Sequence, residues 1–244
     1  MSENRLVNEN RAQMYWWFSS LFFTELSEKQ LQHYLSHGFY QFLNQLSQSE
    51  ELQTAADSFL AALNKVSQRD DAQIELAADF CGLFLTGNKS NALPYASIYL
   101  TQDKLMFGEP ALELQQLMHD HNIGLATAHK EPADHLAIIL DFIGNLAIKT
   151  VDNRHNESTD DTVSQKDIAR HTENRYLTAH LNEQLGILEK YVQSWLPQFN
   201  QRCQQCDPFG FYAAAAELLI AYINYDIELC KESILELQQN DSFP

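Results

Sequence analysis

Apolar residues recur every three or four positions along most of this chain, and that spacing is typical of amphipathic α-helices. In the first such run they are Met14, Tyr15, Trp17, Phe18, Leu21 and Phe22. No stretch alternates apolar and polar residues for long enough to predict a β-sheet, and only 8 of the 244 residues are glycine. The sequence therefore predicts an all-α protein, a single-chain bundle of about eight or more helices.

Local signals predict where several of these helices begin. Capping boxes at Ser27–Gln30 and Ser47–Glu50 each precede a periodic segment. Periodicity predicts one helix over about 71–84 and another over about 173–195, and Asp207-Pro208 is typical of the start of a last helix. Because neighbouring helix positions point about 100° apart, the aromatic side chains at 16–18 cannot all face the core, and one exposed ring is expected.

The order of helices and polar stretches suggests two helical halves. An N-terminal half is predicted over residues 1–125 and a C-terminal half over 132–244, joined by a hinge at 126–131. The polar and charged stretch at about 150–172 is predicted to be a mobile loop within the second half. Because a hinge lets identical halves exchange between copies at low cost, a homodimer formed by domain swapping is a further expectation.

The formal net charge of −17 narrows the possible partners. An acidic surface repels nucleic acid and anionic membranes, and attracts basic peptides or proteins. No window approaches the roughly 18 consecutive apolar residues of a membrane span, and residues 1–5 do not begin a signal peptide. Four cysteines are too few for a disulfide framework in a chain of this length. A cytoplasmic protein without membrane insertion is the expectation.

The segment Glu131-Pro132-Ala133-Asp134-His135 is the most suggestive short pattern in the chain. Proline suits the first position of a helix, and Asp134 would then lie where the helix dipole favours negative charge. The segment is predicted to be the first turn of the helix that follows. It places a carboxylate beside an imidazole, which is compatible with a plain helix start or with the lip of a binding groove.

Other motifs favour ordinary interpretations. Gly82–Ser90 resembles a phosphate-binding loop, but a residue separates its second glycine from Lys89 and no strand precedes it. Cys203 and Cys206 have the spacing of a zinc or redox pair, but a zinc site needs about four ligands, and two thiols in a loop are the preferred interpretation. The histidines at 119, 121, 129 and 135 are predicted to be solvated, so no metal site is expected.

Four segments together resemble a known family. They are Phe80–Phe84, Leu93–Leu100, Phe107-Gly108 and Glu131–Leu136, and their order and separations match as well as their residues. The chain resembles the TorD/DmsD/NarJ family of molybdoenzyme maturation chaperones, and the TorD branch most closely. The four segments cover roughly the middle quarter of the chain, and its helical ends are compatible with the family.

The resemblance implies an all-helical chaperone without catalytic activity. Its partners would be the twin-arginine signal peptide and the apo form of a precursor molybdoenzyme. The resemblance to the TorD branch implies that this enzyme is a trimethylamine-N-oxide reductase. The chaperone would assist insertion of the molybdenum cofactor, which belongs to the client. It would also hold back export of the client until the cofactor is inserted. It would carry no cofactor of its own. Weak binding of guanine nucleotide, GTP, is associated with the family, although no recognisable phosphate site is present.

The resemblance also implies a peptide site. Asp134 and His135 would belong to it, and it would be lined or shaped by Leu83, Phe84, Tyr95, Ser97, Tyr99 and Gly108. From the residues themselves, Asp134, Glu131 and Asp79 are candidate counter-charges for arginine, because guanidinium groups bind carboxylates in bidentate fashion. Aromatic side chains could line a groove for the apolar part of the peptide. His135 is further expected to titrate near neutral pH.

Two alternatives stay open at this point. Asp134 could orient the His135 imidazole in a helical hydrolase or metal enzyme, although no serine or cysteine nucleophile stands in a recognisable setting. The chain could also be an interaction scaffold without a peptide groove, which complete burial of Tyr95 and Tyr99 would favour.

Overall fold

The computed structural model describes residues 3–86, 91–124, 131–152 and 163–241. Within these ranges the chain has eleven α-helices and no β-strand, which confirms the all-α prediction. The helices are α1 (Glu3–Phe23), α2 (Glu28–Tyr34), α3 (His37–Leu46), α4 (Gln53–Val66), α5 (Ala72–Phe80), α6 (Ala96–Leu100), α7 (Glu109–Asp120), α8 (Leu136–Asp152), α9 (Val163–Leu188), α10 (Leu196–Cys206) and α11 (Phe211–Asp241). None of them, over the residues described, is long and apolar enough to cross a membrane.

The first of the two predicted capping boxes is present and the second is not. Ser27 caps α2, and the side chain of Gln30 in turn accepts a hydrogen bond from the Ser27 backbone N–H. Ser47 instead follows the end of α3, where its hydroxyl donates to the Leu43 carbonyl at 3.1 Å. The same hydroxyl lies 2.9 Å from Asp57 Oδ1, and α4 begins only at Gln53, with Leu52 and no side-chain cap at its start.

Two helices end in π-helical turns that continue them. The predicted helix over 71–84 is α5 followed by such a turn at Cys81–Leu85. The predicted helix over 173–195 is α9 followed by a turn at Glu189–Gln193. In both turns the inward residues are buried, so the wider turn still faces the core.

The predicted mobile loop at 150–172 is wrong over the part that the structure describes. Helix α8 continues to Asp152 and α9 already begins at Val163, while 153–162 lie outside the described residues. Residues 163–172 contain no glycine or proline, the two residue types that most disfavour a helix, so they can extend α9 although the stretch is largely polar. Further along α9, Leu181 packs against α11 and anchors this long helix.

The sequence around the cysteine pair is also helical. Pro197 lies in the first turn of α10, and Cys203 and Cys206 lie in its last turns. The prediction of a loop with two thiols is therefore wrong, because Pro197, just after the predicted end of the preceding helix at about 195, opens a new helix. Asp207 caps the last helix, as predicted, although α11 itself starts only at Phe211. The Asp207 carboxylate accepts hydrogen bonds from the backbone N–H groups of Phe209 and Ala213.

Helices α1 and α8 pack along one another at the centre of the molecule. Phe18 is fully buried, Trp17 is half-buried, and Trp16 is the exposed ring of the three, with 36% of its surface accessible. Trp16 lies so close to Gly144 that a Cβ atom there would be 2.7 Å from the indole Nε1. The close helix contact therefore depends on the absence of a side chain at position 144.

The long helix α11 packs against α1, α4, α9 and α10. Near its middle the Asp226 carboxylate receives two hydrogen bonds from the Arg11 guanidinium, from Nε at 2.6 Å and from Nη2 at 2.9 Å, and one from the Tyr15 hydroxyl at 2.5 Å. Both charged side chains are buried and fully paired, as a buried ion pair requires. The network links the first and the last helix of the chain.

The main hydrophobic cluster draws residues from both predicted halves, since α1 and α4 contribute to it together with α8, α10 and α11. The predicted hinge at 126–131 falls outside the described residues except for Glu131. The division into two halves and the domain-swapped dimer stay predictions.

Candidate functional site

The segment Glu131–His135 is a turn that pairs with another loop, and the prediction that it forms the first helical turn is wrong. Its His135 N–H donates to the Pro132 carbonyl at 3.0 Å, three residues back, as in a turn. A helix starting at Pro132 would need the Leu136 N–H to bond to the same carbonyl, but that N–H donates to Pro94 instead, at 2.8 Å. Helix α8 therefore begins at Leu136.

The partner of this turn is the short stretch Pro94–Ser97. The Ala96 N–H donates to the Asp134 carbonyl at 3.0 Å, and Tyr95 and His135 form an isolated antiparallel bridge. We call these two paired segments, Pro94–Ser97 and Glu131–Leu136, the loop junction. It joins two of the segments on which the family resemblance rests, although 37 residues separate Ser97 from Asp134 along the chain.

Asp134 lies at the centre of the loop junction and is completely buried. One of its carboxylate oxygens, Oδ2, accepts hydrogen bonds from the Ser97 backbone N–H, at 2.8 Å, and from the Ser97 hydroxyl. Among the described residues the other oxygen, Oδ1, has no hydrogen-bond partner. Asp134 therefore caps the start of α6 from a distant part of the chain and keeps one acceptor unsatisfied.

Gly108 closes the loop junction on a third side. Its N–H donates to the Ser97 hydroxyl oxygen at 3.1 Å. A Cβ atom at this position would be 2.9 Å from Thr101 Cγ2, closer than Cβ atoms normally approach, and 3.1 Å from Ser97 Oγ, which is a tight contact. Glycine is thus needed here for close approach to Ser97.

His135 is buried among rings and does not pair with Asp134. Only 5% of its surface is exposed, and its ring lies edge-on to Tyr95 and Phe23, with centroid distances of 5.0 and 5.9 Å. Its Nδ1 accepts from the Ala137 N–H at 3.2 Å. Burial lowers the pKa of His135 to about 4, so the imidazole is neutral at pH 7. The expectation that it titrates near neutral pH is wrong, because no carboxylate offsets the cost of burying its charge.

Glu131 brings a partly exposed carboxylate to the edge of the loop junction. The Tyr95 hydroxyl donates to its Oε2 at 2.7 Å. Burial of Tyr95 and this neighbouring carboxylate together raise the pKa of the tyrosine well above its usual range. Glu131 is half-buried whereas Asp134 is enclosed, so a cation that approaches from solvent meets Glu131 first.

The structure thus brings together six of the ten predicted site residues. These are Tyr95, Ser97, Gly108, Glu131, Asp134 and His135. Leu83 and Phe84 belong to the core instead, where the Phe84 ring contacts Phe199 and Tyr212. They stabilise the core of the fold and are almost inaccessible to solvent.

Tyr99 and Asp79 lie away from the loop junction. Tyr99 is half-buried and stacks on Trp195 at 5.0 Å, with the Arg202 guanidinium 4.8 Å from its ring centre. Asp79 lies near a second carboxylate, Asp207; burial and that neighbour raise the pKa of Asp79 to about 6. Helix α6 therefore directs Ser97 toward Asp134 and Tyr99 toward α10.

An exposed apolar segment beside the loop junction was missed by the sequence reasoning. Leu105, Phe107 and Leu112 each expose more than 60% of their surface, and Met106 exposes 39%. Phe107 has a φ of 61°, which is uncommon for a residue with a side chain. The run Leu-Met-Phe directly before Gly108 was the available signal, because three consecutive exposed apolar residues are unusual unless they have a function.

The histidines do not converge on a metal site. His119 is exposed, whereas His121 Nε2 lies 2.8 Å from the carboxylate of Glu183, and His135 is buried. The prediction of solvated histidines is thus wrong for His121 and His135, and His129 lies outside the described residues. Within the described ranges, no group of three or more candidate ligands could hold a metal ion. The end of the phosphate-loop-like segment, 87–90, also lies outside those ranges.

Comparison with known proteins identifies the family. The family model described as "Nitrate reductase delta subunit" matches residues 46–201. Over 226 residues the chain is 44% identical to the chaperone protein TorD of Vibrio parahaemolyticus serotype O3:K6, an alignment that covers 93% of this chain and 97% of the relative. It is 40% identical over 236 residues to the chaperone protein TorD of Vibrio cholerae strain O395, covering 97% and 99%.

The chaperone protein TorD of Aliivibrio salmonicida is 40% identical over 228 residues, which is 93% of this chain and 98% of that one. These relatives are named as chaperones and not as enzymes, in agreement with the prediction of a protein without catalytic activity. The loop junction lies within the matched region. The chain therefore belongs to the TorD/NarJ family of chaperones.

Proposed function

We propose that this protein is a cytoplasmic chaperone for the maturation of a molybdenum-cofactor reductase. It binds the twin-arginine signal peptide and the apo form of the precursor, assists insertion of the client's molybdenum cofactor, and holds back export until insertion is complete. The family assignment supports the chaperone role. The choice of trimethylamine-N-oxide reductase as the client follows from the resemblance of the sequence motifs to the TorD branch. The net charge of −17 favours a basic peptide as ligand.

The observation that carries the site assignment is the unsatisfied Oδ1 of Asp134. A buried acceptor without a partner costs about 1–3 kcal/mol, so a ligand that supplies a donor there recovers this free energy. Glu131 lies in the same turn and is partly exposed. Two neighbouring arginine side chains of a peptide suit this pair, one at Glu131 and one reaching Asp134.

The apolar part of the signal peptide needs an apolar surface next to these carboxylates. Leu105, Met106 and Phe107 provide one, because they are exposed and lead directly into Gly108 at the loop junction. Displacing this segment would also uncover Ser97 and Asp134, which it helps to enclose through the Gly108–Ser97 hydrogen bond. We therefore assign the basic end of the peptide to Glu131 and Asp134, with His135 as the neutral wall of the site.

The alternatives receive less support from the geometry. A hydrolase that used Asp134 to orient His135 would need the two side chains to be hydrogen-bonded, but Asp134 Oδ2 bonds to Ser97 and His135 Nδ1 to the Ala137 N–H. A scaffold without a peptide groove is favoured by the burial of Tyr95, which is 7% exposed, but Tyr99 is only half-buried.

Titration calorimetry with a synthetic twin-arginine signal peptide tests the proposal. We expect the wild-type chain to bind the peptide, and a peptide with both arginines replaced by lysine to bind at least about tenfold more weakly, because lysine lacks the bidentate geometry. Asp134→Asn and Glu131→Gln should each weaken binding about tenfold, while Asp103→Asn, which removes an exposed carboxylate outside the site, should not. Circular dichroism checks that each variant is folded.

Equal affinity for the arginine and lysine peptides would contradict the proposal. So would an unchanged affinity of the Glu131→Gln variant, whose side chain is partly exposed and whose substitution leaves the core intact. Asp134→Ala is less informative, because it also leaves the buried donors of Ser97 unpaired and lowers stability by about 1–3 kcal/mol.

A further inference from the structure

A groove lies between the start of α4 and the outer face of α11, and it shares no lining residue with the loop junction. Its cavity volume is about 700 Å³. That size is typical of sites for small ligands or for a few side chains of a peptide, and it is too small for a folded domain. We call it the α4–α11 groove.

The walls of the α4–α11 groove are acidic. Glutamates at positions 51, 217, 228 and 232 line it, and no lysine or arginine does. Lys231 reaches Glu228 at 2.9 Å from beside the groove. Among the described residues, no cation pairs with Glu217 or Glu232. The groove thus concentrates negative charge that the protein itself only partly neutralises.

Between these carboxylates the groove has an apolar floor. Helix α11 buries one face against the bundle through Leu219, Tyr222 and Ile223. On another face it carries Ile220, Ala221, Tyr225 and Leu229, which line the groove and are only half-buried. This helix is therefore apolar on more of its circumference than packing in the bundle requires.

We propose that the α4–α11 groove binds a short basic segment of a partner polypeptide, in which arginine side chains alternate with apolar ones. Arginine forms bidentate bonds with carboxylates and also stacks on aromatic rings, and Tyr225 offers such a ring between Glu217 and Glu228. The apolar side chains of the segment cover Ile220 and Leu229. Nucleic acids and anionic membranes fit less well, since their phosphates are repelled by four glutamates.

This inference goes beyond the proposed function and does not depend on it. The signal peptide is assigned to the loop junction, whereas the groove is lined by α4, α11 and the residues just before α4. A partner that engaged both surfaces would be bound at two places, and its affinity would exceed that for either surface alone.

Fluorescence anisotropy with a labelled synthetic peptide tests the groove. The probe carries arginine and leucine on adjacent faces of a helix, and a matched peptide carries glutamate in place of arginine. We expect the full chain to bind the arginine probe and not the glutamate peptide. The triple variant Glu217→Gln, Glu228→Gln, Glu232→Gln should weaken binding about tenfold, because each exposed ion pair contributes modestly. Ala221→Trp should weaken it similarly by filling the floor of the groove.

A matched triple variant controls for net charge. Glu25→Gln, Asp70→Asn and Asp103→Asn remove the same charge from exposed positions outside the groove and should leave affinity within about twofold of wild type. If this control weakens binding as much as the groove variant, attraction is only a matter of overall charge and the proposal is overturned. Unchanged binding by both the groove triple variant and Ala221→Trp would overturn it as well.

Binding of the twin-arginine peptide distinguishes the site proposed at the loop junction from the site proposed in the α4–α11 groove. The peptide should still bind to the groove variants when the loop junction is intact. Loss of its affinity in the groove triple variant, with normal affinity in Glu131→Gln, would move the arginine site to the groove and overturn the assignment at the loop junction instead.

Discussion

The burial of His135 gives the protein a specific dependence of stability on pH. Its pKa is about 4 in the folded chain, against an ordinary value of 6.5. A base whose pKa is lowered by folding adds stability that is fully present above 6.5 and is lost as the pH falls toward 4. The loss amounts to about 3 kcal/mol, because the neutral imidazole must be protonated in a site without an anionic partner.

We therefore expect urea denaturation of the wild-type chain to show a falling free energy of unfolding between pH 6.5 and 4. His135→Gln should reduce this slope, whatever it does to stability at neutral pH. His119→Gln is the matched control, since the side chain of His119 is 84% exposed. An identical slope in wild type and His135→Gln would show that the imidazole is not enclosed as described.

At the scale of single residues, the sequence indicated which residues matter but not how exposed they are. The family resemblance pointed to Asp134, His135 and Ser97 together, and they do meet. Nothing in the local pattern could show that Asp134 caps α6 across 37 positions, because that contact depends on how two loops cross in three dimensions. Because the local sequence also does not show what surrounds a side chain, it predicted that His135 titrates near neutral pH, whereas its neighbours are aromatic rings.

Between elements, the contact of α1 with α8 depends on Gly144. A Cβ atom there would lie 2.7 Å from Nε1 of the half-exposed Trp16 ring. Gly144→Ala should therefore destabilise the chain by about 1–2 kcal/mol, through displacement of the indole. In a Trp16→Ala background the same change should stabilise the chain by about 0.5–1 kcal/mol, because alanine is the better helix former and nothing then obstructs it.

A double-mutant cycle from thermal or urea unfolding measures this reversal of sign. Phe107→Ala serves as a control for loss of an exposed aromatic ring elsewhere. If Gly144→Ala has the same effect with and without Trp16, the two positions are not coupled and the close helix contact is not as described.

At the scale of elements, periodicity predicted the existence of helices better than their boundaries. The helix expected after Glu131–His135 is present as α8, and the aromatic first run is present as α1. The boundaries failed where polar sequence continued a helix, as at Val163, and where proline opened one, as at Pro197. In both cases the local sequence is compatible with a helix, because 163–172 lack glycine and proline and because proline suits a first helical turn.

The whole molecule has one main hydrophobic cluster that spans both predicted halves. If the C-terminal half exchanges between two copies, the α1–α8 contact must open and form again across the dimer. Refolding at high protein concentration should therefore yield a dimer that dissociates over hours or longer after dilution, since dissociation requires partial unfolding.

Size-exclusion chromatography with light scattering, repeated at intervals after dilution, follows this exchange. Dimer that dissociates within the time of dilution would contradict a swap and indicate surface association. The same measurement at raised salt further distinguishes a swapped dimer from surface association. Salt reduces the repulsion between surfaces of net charge −17 but barely changes the free energy needed to open a hydrophobic core.

The fold class and the family could be predicted for the whole molecule, and the α4–α11 groove could not. Its carboxylates at 217, 228 and 232 lie along α11, but Glu51 comes from a segment far away in the sequence. In the sequence the same residues look like an ordinary solvated face. Only the packing of α4 against α11 turns them into a concave surface.

The capping of α6 by Asp134 also sets how this part of the protein opens in solution. Helix α6 has only five residues, and the backbone N–H groups of Ala96 and Ser97 are held by Asp134. The backbone N–H of Leu136 in turn donates a hydrogen bond to the Pro94 carbonyl. These amides are therefore protected from hydrogen exchange as one cooperative unit although they come from two distant stretches of chain. A ligand that parts the two stretches would release all three protons to solvent at once.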